Sequence, residues 1–221
     1  MTRKALPVCG MLAALLYIAT DILAALRYQG YSYTGQTVSE TFAIGAPTRS
    51  LVVLRGLAYS LLLITFGWGV RQSAGGKHWL RVAGGLLLTL GFIDLAGPFA
   101  PMHQRTVLAA GGGTLTDTLH IILASVDVLL ILLIVGFGAN AFGKQFRLYS
   151  IATILVVILF GALAGLDGPR VAANLPTPWV GVTERICIYA YMLWVAVLSA
   201  TLLRSRSTVP SDAFAARSDA K

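Results

Sequence analysis

The apolar positions fall into six runs bounded by charge, glycine or proline: residues 7–27, 51–70, 80–98, 117–137, 147–166 and 182–203. Each approaches the roughly 20 residues a helix needs to cross the hydrocarbon of a bilayer. The pattern predicts an all-α fold: a polytopic membrane bundle of six transmembrane helices, with residues 1–203 as a single domain. The stretch from Arg204, "RSRSTVPSDAFAARSDAK", is polar and rich in small residues, and is expected to be a disordered tail. Glycine recurs inside several runs ("VAGGLLLTLG", "VGFG", "FGALAG"), where it lets neighbouring backbones approach closely. The first run follows "MTRK", but it is longer than a signal-peptide core and no clear small-x-small cleavage site follows, so it reads as a retained helix.

Composition agrees. Of 221 residues, 57% are hydrophobic and 12% charged. A soluble domain carries about twice that charge, and this one would leave large apolar patches in water. The net charge of +8 does not point to nucleic acid, because the basic residues are scattered at the ends of the runs and form no stripe. They read instead as topology signals. With the N-terminus inside, eleven Lys and Arg lie on the cytoplasmic side, and six arginines (27, 49, 55, 105, 170 and 185) lie outside. Both termini are therefore expected in the cytoplasm. Tyr28, Tyr31, Tyr33 and Trp179 then fall at outer boundaries, and Trp68 and Trp79 at inner ones, where amphipathic rings prefer to sit. Cys9 and Cys187 lie near opposite faces, too far apart for a disulfide, and neither has metal-site spacing.

The acids are distributed one-sidedly. Asp212 and Asp219 are in the tail, and the inner loops carry none. Asp21, Asp94 and Asp167 lie near the outer ends of helices 1, 3 and 5, Asp117 and Glu184 at the outer starts of helices 4 and 6, and Glu40 in the first outer loop. Only Asp127 lies deep, where an acid is usually functional or paired. His103 and His120 join the outer group, whereas His78 is cytoplasmic. Ionisable groups in or near hydrocarbon cost several kcal/mol unless paired or hydrated. These groups are therefore expected to face one another or a water-filled cavity open to the outer side. On helix 4, Asp117, His120, Ala124 and Asp127 fall within roughly 80° of one another, with Asp127 about 15 Å below Asp117. Asp21, Asp94 and Asp167 are spaced by equal steps of 73 residues. That suits either a threefold hairpin repeat or six helices of similar length with acids at one end.

Several short motifs carry candidate chemistry. In "YSYTGQTVSETFAIGAPTRS", Ser39 and Glu40 precede a small apolar piece ended by Gly45 and Pro47. This is either a short surface helix acting as a lid that brings Glu40 to the helix ends, or an ordinary loop with Ser39 as a cap. Asp117-x-x-His120 could hold a metal with Asp94, His103 or Glu184, or His120 could bond Asp117 or a neighbour. The arginines oppose a cation, so no cofactor is expected. Arg185, in "VTERI", could hold a phosphate or carboxylate by a bidentate contact, helped by Arg49 and Arg105, or could pair at the interface. His103 follows the rigid "GPFAPM". There is no nucleotide-binding loop and no nucleophile elbow, so neither energised transport nor serine hydrolysis of the elbow type is expected.

The expected site thus has Asp117, His120 and Glu184 in acid/base roles, with Ser39, Glu40, Arg49, Asp94, His103, Asp127 and Arg185 around the ligand. Three readings compete: an enzyme acting on a lipid or amphiphile from the outer leaflet, a proton-coupled carrier using Asp127 as a relay, and a scaffold locked by its charges. The partners expected are membrane lipids and an anionic or amphiphilic ligand.

"SETFAIGA" after helix 1, "APMH" after helix 3, Asp117-x-x-His120 opening helix 4 and "GVTER" opening helix 6 resemble the bacterial membrane proteins of the domain of unknown function 998 family. The matched positions are Ser39, Glu40, Gly45, Ala46, His103, Asp117, His120, Glu184 and Arg185, and the likeness covers residues 7–203. It implies a six-helix fold in a bacterial inner membrane and transfers no activity.

Overall fold

The computed structural model describes residues 6–207. Arg3, Lys4 and the tail beyond Ser207 lie outside the described residues. Six helices are long and apolar enough to cross a membrane: α1 (Val8–Arg27), α2 (Arg49–Ser73), α3 (His78–Asp94), α4 (Leu115–Gly138), α5 (Lys144–Leu166) and α6 (Val180–Ser207). They match the six apolar runs, with shifted ends. α2 extends through polar residues at both termini, because helical hydrogen bonding does not stop where hydrocarbon does. α3 stops at Asp94, ahead of a 3-10 turn at Gly97–Phe99. Pro98 there lacks an N–H and disfavours helix at the residue before it.

Each helix packs mainly on its neighbours in sequence, and α6 closes on α1, making a ring. The α2–α3 seam is the closest. A Cβ on Gly84 would sit 2.8 Å from the backbone nitrogen of Arg71, and one on Gly67 would sit 2.8 Å from that of Leu88. Leucines such as Leu15, Leu155 and Leu166 face outward, which suits lipid and would be costly in water. All the buried residues of α4 lie at 130–138, and those of α5 at 146–157.

The interior is graded along the bundle axis. Leu63, Phe66, Leu87, Ile134, Trp194 and Leu198 fill one half and are fully buried. The Trp194 indole is satisfied by Ser150 Oγ at 2.9 Å. A belt of tyrosines and ionisable groups lies beyond this plug, and then a cap. The cap consists of the three long connections, residues 28–48, 95–114 and 167–179, all at the same end. The connections at the opposite end, 74–77 and 139–143, are short. Ile44 N–H donates to Met102 O at 2.8 Å, and Ala43, Ala46, Met102 and Val171 form a small apolar core joining the three loops. The surface piece after Ser39 differs from expectation. Its 3-10 helix is Val38–Phe42, and Thr37, with Glu40 at the third position, supplies the capping box. Ser39 is therefore not the cap, and its hydroxyl is released for another partner.

Candidate functional site

Two arginines tie the cap together. Arg185, on the first turns of α6, lies 3% exposed against Asp21 of α1. Its Nε and Nη2 reach the two carboxylate oxygens at 2.9 and 3.1 Å. Nη1 donates to the carbonyl of Tyr33 at 2.8 Å, and Nη2 also to the Tyr31 hydroxyl at 2.8 Å. The Tyr33 ring lies 3.8 Å from the guanidinium, and Tyr189 OH donates to Asp21 at 2.5 Å. Burial pushes the Tyr31 phenol up, against the pull of Arg185. The neutral hydroxyl donates to Thr37 O at 2.7 Å. Gly181 is required beneath this knot, since a Cβ there would collide with the carbonyls of Tyr33 and Gln36.

Arg105, in the second loop, makes the other knot. Nε and Nη2 bind both oxygens of Glu40 at 2.6 and 2.7 Å, Nη1 reaches Thr177 Oγ1 at 2.7 Å, and Nη2 reaches Gly35 O at 2.9 Å. Glu40 also accepts from Gln36 Nε2 and Thr37 N. Every guanidinium nitrogen of both arginines donates within the protein, as fits charges held at low exposure. Arg49 differs. Its Nη1 donates to Phe42 O at 2.9 Å, while Nε and Nη2 have no partner among the described residues.

The histidines and remaining acids sit beside these knots. Asp117 takes the His103 backbone N–H at 2.7 Å and its Nδ1–H at 2.8 Å, and accepts from Thr114 N at 2.8 Å to start α4. Glu184 accepts from Val38 N at 2.6 Å, which fixes the turn that carries Ser39. His120 does not bond Asp117. Its Nδ1 lies 3.1 Å from Ala100 O and its Nε2 3.1 Å from Ser39 Oγ, with the Phe42 ring 5.7 Å away. A carbonyl cannot donate, so Nδ1 carries the hydrogen. In the neutral ring, Nε2 is then an acceptor for the Ser39 hydroxyl. A hydroxyl on an imidazole nitrogen, with the other nitrogen oriented by a third group, is the arrangement that activates a serine. Ser39 and His120 are both half-buried.

Asp94 and Asp127 lie apart from this cluster, in the belt below it. Each is within electrostatic reach of Tyr191, and Asp94 is within reach of Arg55. Asp127 has no hydrogen bond or ion pair among the described residues, and its Oδ1 is buried without a partner, as are Arg55 Nη1 and Tyr191 OH. No three His, Cys, Asp or Glu side chains among the described residues gather as a metal would need. Two surface depressions, of about 420 and 140 Å³, lie over the Arg105 knot beside Asn174. Neither is lined by Asp117, His120 or Glu184.

Of the expected site residues, the cap thus joins Ser39 to His120, Glu40 to Arg105, His103 to Asp117, and Glu184 to the backbone ahead of Ser39. It leaves Arg49 at the rim and Asp94 and Asp127 beneath. The sequence reading missed Asp21 and Tyr189 as partners of Arg185, Thr37 as the cap, and the belt residues Arg55, Tyr59 and Tyr191. Tyr59, Tyr189 and Tyr191 lie inside apolar runs, where a phenol gives no signal of its own. Arg55, in the apolar "LVVLRGLAYS", was the available signal, an arginine a full turn inside a membrane span.

A family model described as "Protein of unknown function (DUF998)" matches residues 11–201. No curated protein and no solved structure matches the chain.

Proposed function

We propose that this chain, which belongs to the DUF998 family, is a multi-pass enzyme of the bacterial inner membrane whose Ser39–His120 pair acts on an ester of an outer-leaflet amphiphile. The observation that carries the proposal is the 3.1 Å contact between Ser39 Oγ and His120 Nε2, with Nδ1 anchored on Ala100 O. Ser39 Oγ attacks the ester carbonyl as its proton passes to Nε2. The ring returns that proton to the departing alcohol, and water then releases the acyl group by the same route. Asp117 and Glu184 act as positioning residues. Asp117 holds His103 in the loop that carries Ala100, and Glu184 holds Val38 beside Ser39. Arg49, with uncommitted donors near Phe42, is the cation for an anionic headgroup. Arg185 and Arg105, fully engaged within the protein, are structural. The apolar plug of Leu63, Phe66, Ile134 and Trp194 weighs against a carrier, which needs a polar path continuing past Asp127.

A scaffold is the second reading, favoured by the saturation of the two arginine knots. The test is labelling of the full chain in nanodiscs with a fluorophosphonate serine probe, read by mass spectrometry. The enzyme reading expects an adduct on Ser39 that is lost in Ser39→Ala and slowed by about a hundredfold or more in His120→Gln, the usual worth of a general base. An unlabelled Ser39, or labelling indifferent to His120, leaves the scaffold.

A further inference from the structure

Seven residues below His120 on α4, about 10 Å deeper at helical rise, Asp127 stands in the belt with no partner among the described residues. Two groups lie within electrostatic reach of it, Asp94 of α3 and Tyr191 of α6. Arg55 and Tyr59 of α2 lie within reach of Asp94 in turn, and Tyr17 of α1 within reach of Arg55 and Tyr59. α5 carries no titratable side chain between Ser150 and Asp167.

The belt holds two acids and one arginine. Arg55 lies over the Tyr17 ring at 4.1 Å and within reach of Asp94, so it offsets one acid and leaves the other uncompensated. Tyr191, 1% exposed, has an unpartnered hydroxyl and lies within electrostatic reach of both acids. A buried polar atom without a protein partner is explained by strain, by a catalytic role, or by a bound water or ion, and an acid in a membrane interior is the default position for a functional group. We infer that Asp127, with Asp94 and Tyr191, forms a binding site for one exchangeable monovalent cation, either a proton or a sodium ion. The apolar plug closes this site on the side away from the cap, so the cation enters and leaves by the capped end. The site is separate from the Ser39–His120 pair and does not depend on it.

Dicyclohexylcarbodiimide, which adds to intramembrane carboxyls only when they are protonated, tests the site on the full chain in nanodiscs, with labelled peptides located by mass spectrometry. The expected result is an adduct on Asp127 that declines about tenfold per pH unit above its midpoint and is lost in Asp127→Asn. Tyr191→Phe, which keeps the ring and removes the hydroxyl, shifts the midpoint. Protection by sodium chloride but not by choline chloride identifies sodium as the occupant. Decline with pH alone identifies the proton. An Asp127 that stays unlabelled across the pH range, or whose labelling ignores both pH and sodium, overturns the proposal. The fluorophosphonate reaction at Ser39 reads the other site, so either proposal can fail without the other.

Discussion

Asp21 and Asp167 occupy equivalent places in the sequence, each at the capped end of an odd-numbered helix, yet their energetics are opposite. The Asp21 side chain is fully buried and bidentate on Arg185, whereas Asp167 is 30% exposed and 3.8 Å from an Arg170 that is itself half in solvent. Removing one partner of a buried pair strands the other charge and costs about 3–5 kcal/mol. An exposed pair contributes at most about 1 kcal/mol. Asp21→Asn is therefore expected to lower stability by several kcal/mol in detergent unfolding experiments, and Asp167→Asn by less than about 1 kcal/mol. Equal losses would contradict this assignment. The even spacing of the two acids with Asp94 could not separate them, because the partner of Asp21 lies 164 residues away. Nor does the spacing correspond to a repeated environment, since Asp94 lies in the belt with Asp127. Separation in sequence likewise hid the pairing of Ser39 with His120, 81 residues apart. Each residue was legible as a polar group at the outer end, but the hydrogen bond between them is made by tertiary structure alone.

At the level of the helices, the apolar runs were a strong guide because hydrocarbon demands an unbroken length of side chains. The ends were less legible, since α2 winds on through Arg49 and Ser73 while Pro98 ends α3 early. Glycine was legible as packing without indicating which glycine matters. Gly84 and Gly85 are adjacent on α3, but a Cβ on Gly84 would press on the α2 backbone, whereas one on Gly85 would meet only the tip of Arg71 at 3.5 Å. Gly84→Ala is expected to destabilise the protein by about 1–3 kcal/mol, the cost of overpacking. Gly85→Ala should be neutral, or stabilising by up to about 1 kcal/mol through helix propensity. Thermal unfolding of both variants in one detergent checks the pair, and a reversed order would place the α2–α3 seam elsewhere.

Across the whole molecule, the gathering of acids at one end was readable from charge asymmetry, and the cap is where Asp21, Glu40, Asp117 and Glu184 meet. The division of that end into saturated arginine knots, an oriented serine–histidine pair and a deeper unpaired acid was not readable, because it depends on which loop reaches which helix. The distribution of Lys and Arg along the sequence predicts a cap that faces outward. Both native thiols are buried, so maleimide labelling of intact cells should modify Ala173→Cys in the cap and spare Gln145→Cys at the other end until the cells are opened. The reverse pattern would invert the topology. Whether His120 is set to take the proton of Ser39 can be read by ¹⁵N NMR of histidine-labelled protein in bilayers, where only His78, His103 and His120 contribute. The expected spectrum shows a neutral His120 with the hydrogen on Nδ1 and a bare Nε2 whose resonance moves in Ser39→Ala. A hydrogen on Nε2, or a resonance unchanged by that substitution, would contradict it.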